Sequence, residues 1–246
     1  MSLKQVALLA VFSSIIISKC VFSQDLIVLT EDWPPYSYQN RQGDIVGTAT
    51  TRVKNALDLA GVSYQIHLYP WTRSFKLASR NKNTLIYSIF RTKEREDNFQ
   101  WICPITKPIE HQLFKLAART DIHINQFDDL KQYVLGLLRD TYPHQYFTQE
   151  GLKENVHLDI MVEEDLNLKR LITGRIDLLA DEEAPLLLRL EKLGYDSNLI
   201  ERVYTIQSDD APENCMAFSI TTPRLLVEKV RKAMQQVLAE EVKKGD

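Results

Sequence analysis

From residue 26 onward the chain alternates short apolar runs of strand length with segments whose apolar residues recur every three to four positions. Leu26 to Leu29 is the first run, followed by a loop carrying Trp33-Pro34-Pro35-Tyr36 and a turn at Gly43-Asp44. A helix is predicted near Thr50–Ala60, with Val53, Leu57 and Ala60 on one face and Gly61 as its stop. Tyr64–Leu68 alternates as a strand, Trp71–Ser79 suits a short helix, and Thr84–Phe90 is rich in strand formers. The same grammar repeats after about Pro104. Strands are predicted near Leu113–Ala118, Val134–Leu138, His157–Met161 and Ile176–Ala180. Helices are predicted near Tyr142–Glu150, Asp165–Thr173 and Pro185–Leu193, the last two stopped by Gly174 and Gly194. Thr221-Thr222-Pro223 then opens a long helix in which Leu226, Val230, Ala233, Met234 and Val237 form one stripe. Alternation of this kind predicts the α/β class, mostly parallel sheets flanked by helices, and its repetition predicts two lobes. Ligands of such sheets bind at the carboxyl ends of strands, which makes the cleft between lobes the default site.

The first 23 residues follow a different pattern. Lys4 precedes the apolar run Val6–Ile17, and Val21-Phe22-Ser23 offers slim residues before a cut ahead of Gln24, the pattern of a secretory signal peptide. The run is short for a membrane span and Lys19 interrupts it. Lys19 also stands before Cys20, where lipoprotein processing wants a small residue, so an exported, unanchored mature chain is expected. Cleavage leaves Cys103 and Cys215 in an oxidising compartment, either as a disulfide or as two separate buried thiols. Neither lies in a Cys/His cluster of zinc spacing, so no metal or cofactor is expected.

Composition narrows the function. Hydrophobic residues make up 44% and charged ones 26%, an ordinary globular balance without disordered bias. The formal charge of −3 falls to −5 once Lys4 and Lys19 are removed with the leader, which argues against a partner bound through its phosphates. His67, His111, His123, His144 and His157 show no link to a nucleophile or metal motif, and neither a Gly-x-Ser-x-Gly nor a P-loop pattern occurs. Catalysis therefore has few nameable parts, and a non-enzymatic role is expected.

The ordered set Thr30-Glu31-x-Trp33-x-Pro35-Tyr36-x-Tyr38, Gly47, Arg91-Thr92-Lys93-Glu94-Arg95 and Phe99-x-Trp101-x-x-Pro104 resembles family 3 of the bacterial extracellular solute-binding proteins. Gly174-Arg175-Ile176-Asp177 and Ala217-Phe218-Ser219-x-x-Thr222-Pro223 continue the resemblance. It implies a type II periplasmic binding fold, with one lobe from residues 24–104 and 214–246, a second from 105–213, and two crossing segments as hinge. It further implies a periplasmic monomer that captures an amino acid or related small solute and delivers it to an ABC importer. Docking on a membrane receptor, or dehydratase activity of the cyclohexadienyl type, are the alternatives within the same fold. Cys103 and Cys215 fall at the two implied crossings, which favours their pairing.

An α-amino acid requires a fixed cation for its carboxylate and acceptors for its ammonium, both withdrawn from water. Arginine suits the first task because its planar fork can grip both oxygens. The family's Thr-x-x-Arg arginine holds the carboxylate, which implies that role for Arg95. By composition alone, Arg95 is a surface residue in a charged run. Glu31 follows the first strand where relatives place an acid for the ammonium. Trp33 and Tyr36 are either ligand walls or a packing plug. Ser88 and Phe90 lie on the strand leading to Arg95, and Phe90 replaces a hydroxyl residue common in amino-acid binders. Trp71 and Arg73 form a second aromatic and cationic cluster that shapes the site or, for Arg73, simply lies on the surface. In the second lobe Arg139 and Thr141 join a strand to a helix amino end, where Asp140 is a candidate cap. Asp181 and Glu182 follow the strand at 176–180, one of them facing the cleft.

Overall fold

The computed structural model describes residues 25–207 and 211–245. The signal-peptide reading and the cut before Gln24 lie outside the described residues. Two five-stranded sheets form the framework. The first runs in the spatial order β4 (Tyr64–Leu68), β1 (Leu26–Thr30), β5 (Thr84–Phe90), β12 (Asn214–Ser219) and β6 (Phe99–Ile102). The second runs β9 (Leu158–Met161), β8 (Leu135–Leu138), β10 (Leu178–Asp181), β7 (Gln112–Leu116) and β11 (Ile200–Thr205). A two-stranded ribbon, β2 (Tyr38–Gln39) with β3 (Ile45–Val46), stands beside the first.

Each sheet carries one reversed strand, in the fourth position of these orders. β12 pairs antiparallel with β5 and β6, and β7 pairs antiparallel with β10 and β11, while the remaining pairs are parallel. In both cases the reversed strand is the first one built after the chain crosses from the other sheet. It therefore enters its sheet from the interlobe side, opposite to the strands that end there.

Among the described residues six helices cover the sheets: α1 (Thr48–Leu59), α2 (Trp71–Arg80), α3 (Tyr142–Gln149), α4 (Glu164–Ile172), α5 (Glu183–Lys192) and α6 (Arg224–Lys244). Strand alternation divides the first lobe into two cores. Leu26, Val28, Leu85 and Tyr87 pack against α1 and α6 through Val53, Leu57, Val230 and Met234. Leu29, Ile86 and Ile89 face Trp71 and Ala78 of α2 on the other side. With helices on both faces, every residue of β5 is buried, including Thr84 and Ser88, which is why apolar residues fill both faces of the strand. The second lobe repeats the plan. Leu135, Leu137 and Leu158 meet Phe147 of α3, while Phe114 and Leu179 meet Leu168 of α4 and Leu190 of α5. Each such fully buried apolar side chain contributes roughly 1.5–3 kcal/mol relative to exposure. Val230, Ala233, Met234 and Val237 of the stripe foreseen in α6 are buried, but Leu226 is half-buried and Val227 takes the inner place; the helix starts at Arg224 behind Pro223, and Thr222 instead bonds Ser219 at 2.9 Å.

Cys103 and Cys215 form a disulfide, and beside it the Ile105 amide donates to the Asn214 carbonyl at 2.8 Å. Farther along the crossings the Ile206 amide donates to the His111 carbonyl at 2.9 Å. The two crossing segments thus run side by side. Among the described residues no helix is long and apolar enough to cross a membrane.

Candidate functional site

The carboxyl ends of five strands converge between the lobes. Glu31 follows β1, Trp71 follows β4, Arg95 follows β5, Thr141 follows β8 and Glu182 follows β10. Together with Trp33, Ser88 and Phe90 they line a cavity of about 50 Å³. A second cavity, of about 280 Å³, shares Glu31, Trp71 and Glu164 with it and leads past Tyr69, Glu163, Asp165 and Arg189.

Local structure aims these groups. Ser88, at φ 62°, is the extra residue of a β-bulge: Ile89 pairs with Cys215 and Tyr87 with Met216, leaving Ser88 unpaired. The bulge turns the end of β5 toward the cavity, with the Ser88 hydroxyl 3.3 Å from that of Ser37. After Phe90 the chain winds into a 3-10 turn at Lys93–Asn98 that carries Arg95 inward.

Arg95 is 1% exposed, so the surface reading of its charged run fails. Its guanidinium lies 5.2 Å from the Trp71 ring centre and 5.1 Å from that of Phe75. Nη1 donates to the Phe90 carbonyl at 2.8 Å and Nη2 crosses to the Asp140 carbonyl of the second lobe at 2.5 Å. Nε is buried without a partner. Burial lowers its pKa to about 10, still high enough to keep it cationic at neutral pH.

The acids of the site are in unequal surroundings. Burial, then the neighbouring Glu164 and Glu182 charges, push the Glu31 carboxyl well above its usual range, against the pull of Arg189 and Arg95. No hydrogen bond from the described residues supports its charged form. Glu164, pushed up to about 7 by burial, and Asp181, pushed up to about 6 by burial, both pair with Arg189. Burial works against the Arg189 charge, but Asp181 and Glu164 together hold its pKa above the usual value. Burial raises Glu182 too, yet His111, Trp33 and Arg189 outweigh it and hold that carboxyl low.

Asp181 is thus occupied by Arg189, whereas Glu182 is the acid that faces Trp33 and the inner cavity. Thr141 lines the cavity, but its hydroxyl donates to the Leu138 carbonyl at 2.7 Å. Asp140 does not cap α3; its φ is 59° and its amide donates to His144 Nδ1 at 3.1 Å.

Three candidates stand apart from the cavity. The Tyr36 ring packs on Trp33 at 4.4 Å, while its carbonyl receives the Ala49 and Thr50 amides of α1, which makes it part of the loop's packing. Arg73 points to solvent, because the inward face of α2 is taken by Trp71, Ser74 and Ala78; its guanidinium sits 4.0 Å from the Tyr69 ring centre. Arg139 is about 42% exposed and lies 4.0 Å from Glu154 on the outside of the second lobe. Sequence reading missed His111, Tyr142, Glu164 and Arg189. A lone histidine in a loop and charges in the turns of amphipathic helices carry no local signal that separates them from solvated faces.

Solved structures with the same architecture include a histidine kinase sensor domain with similarity to periplasmic binding proteins, at TM-score 0.75 and 17% identity. That match covers 89% of this chain and 95% of the other. An ancestral arginine-binding protein bound to arginine matches at TM-score 0.72 and 19% identity, over 90% of this chain and 93% of its own. The arginine-, lysine-, histidine-binding protein ArtJ of Geobacillus stearothermophilus matches at TM-score 0.72 and 16% identity, over 88% and 90%. At these identities the likeness establishes the fold, the two-lobed type II periplasmic arrangement. No curated protein sequence matches the chain. The family model of bacterial extracellular solute-binding proteins, family 3, matches residues 26–245, nearly all of the described chain, and the protein belongs to that family.

Proposed function

We propose that the protein captures a small amino-acid-like solute carrying an extra positive charge, closes its lobes over it and presents the closed form to a membrane partner. One observation carries this reading: Glu31, a half-buried carboxylate with no hydrogen bond from the described residues, and Arg95, a buried cation whose Nε has no partner among them, face the same interlobe cavity. Each group is costly to bury without a mate, and a zwitterionic head group satisfies both. The ammonium meets Glu31, and the carboxylate meets Arg95 near the amino end of α3. The larger cavity takes the remainder of the solute between Trp71 and Tyr69 on one side and Glu163, Glu164 and Asp165 on the other. Aromatic faces and the Glu163 carboxylate suit a cationic tail, Glu164 and Asp165 being already met by Arg189.

The exported protein is then a periplasmic receptor for an ABC importer. The likeness to a sensor domain favours a second reading, docking of the same closed form on a signalling receptor. Ligand binding drives closure identically in both, because the ligand binds the closed state better.

A thermal-shift screen against amino acids, polyamines, small carboxylates and cyclohexadienyl acids tests the ligand class. A ligand at 100 times its Kd stabilises by about 2.7 kcal/mol. Stabilisation by cationic amino acids, recovered chemically unchanged, is the expected result; stabilisation by solutes lacking an ammonium overturns it, and consumption of the solute points to the dehydratase. Uptake by cells lacking the protein then separates the partners, since lost uptake marks an importer and retained uptake with a lost response marks a receptor.

A further inference from the structure

A carboxylate that receives a ligand ammonium needs its oxygens free, and both oxygens of Glu182 are engaged by the protein. Oε2 accepts the Trp33 indole N–H at 3.1 Å, and Oε1 lies in contact with His111 Nδ1 at 2.6 Å, close but off the line of a hydrogen bond. The two partners belong to different bodies. Asp181 pairs with Gln112 in the antiparallel ladder of β10 and β7, so Glu182 and His111 are the next cross-strand pair and move together with the second lobe. Trp33 comes from the loop after β1, in the first lobe.

The surroundings make these contacts count. His111 and Trp33 are each 4% exposed, and the Phe90 ring meets the His111 ring edge-on at 4.6 Å, with Tyr142 at 4.9 Å. Buried beside these rings, the indole bond to the Glu182 carboxylate is stronger than the same bond at the surface. By contrast, Lys192 and Asp32 bridge the lobes at 3.3 Å in the open, where salt and water screen the pair.

We infer that Trp33, Glu182 and His111 form a clasp that holds the lobes closed over the cavity. His111 is a positioning residue: it fixes the Glu182 carboxylate so that Oε2 meets the indole when the lobes come together. Glu31 is left as the acid free for the solute's cation. The clasp concerns closure and stands whatever the ligand class proves to be.

The test reads hydrogen exchange at the tryptophan indole N–H groups by NMR in the purified protein without added solute. Trp33→Phe identifies the Trp33 signal, and Trp101, whose indole donates to the Glu96 carbonyl within the first lobe, serves as internal reference. His111→Phe keeps the ring's bulk and removes the ring nitrogens; His111→Asn keeps a polar nitrogen near the place of Nδ1. The expected result is that His111→Phe speeds Trp33 exchange about tenfold or more, His111→Asn restores most of the protection, and Trp101 is unchanged. Equal Trp33 exchange in parent and His111→Phe overturns the clasp, and failure of His111→Asn to restore protection overturns the positioning role. Should His111→Phe also speed Trp101 exchange, Trp33→Phe decides by small-angle scattering: a larger radius of gyration than the parent's supports the clasp, and an unchanged one overturns it.

Discussion

Arg95 holds two backbone carbonyls, one from each lobe, with the two ends of its fork and leaves Nε for a third acceptor. A lysine supplies the charge but not the plane. Arg95→Lys is therefore expected to weaken binding of the identified solute by about 10- to 100-fold, measured by titration calorimetry. Glu31 is the opposite case, a group whose native surroundings oppose its charge. Its folded pKa lies above the unfolded one, so the stability tied to its protonated form is complete below the unfolded value and is lost as pH rises through the folded one. Glu31→Gln removes that loss. At about pH 7.5 the solute-free variant should melt higher than the parent, and the difference should vanish near pH 4. The same variant should bind the solute more weakly, so calorimetry and melting curves move in opposite directions. A variant that melts like its parent at every pH would place Glu31 in ordinary solvation.

Elements place these residues through a few tight junctions. Gly47, immediately before α1, has φ 124°, and a Cβ there would lie 2.3 Å from the Tyr36 carbonyl oxygen. That carbonyl accepts the Ala49 and Thr50 amides, tying the Trp33–Tyr36 loop to the start of the helix. Gly47→Ala thus meets both backbone strain and a steric clash, and about 2–4 kcal/mol of stability should be lost. Urea denaturation checks the loss, and the displaced loop should also weaken solute binding. The bulge at Ser88 plays the corresponding part in β5, bending the strand end so that Phe90 and the turn bearing Arg95 face the cleft.

At the scale of the molecule, the two sheets repeat one plan and are joined by segments that a disulfide ties together. The bond closes a sequence separation of 112 residues. Chain-entropy reasoning gives a loop of that length about 4–5 kcal/mol of stabilisation. Replacing both Cys103 and Cys215 with serine should lower the unfolding free energy by about that amount, and reductant should then have no further effect. Denaturant curves of both forms, with and without reductant, measure it; a loss below 1 kcal/mol would mean that the side-by-side crossings hold without the bond.

The sequence by itself determined the α/β class, the doubled grammar and the first five helices to within about two residues at each end. Those features rest on local periodicity, since a helix or strand with one buried face writes its period into the chain. The short edge strands β6 and β11 and the reversed β12 carry too little alternation to be read, and only pairing with neighbours makes them strands. Motif position was enough to bring Glu31, Trp33, Trp71, Ser88, Phe90, Arg95 and Thr141 to one cavity, because strand ends of an α/β sheet share an edge. Tertiary structure alone decided that Glu182 rather than Asp181 faces Trp33, that His111, Glu164 and Arg189 join the site, and that Tyr36, Arg73 and Arg139 stand apart. Which neighbour a charge meets depends on the register between strands and on the approach of two lobes, and both are relations between segments far apart in the chain.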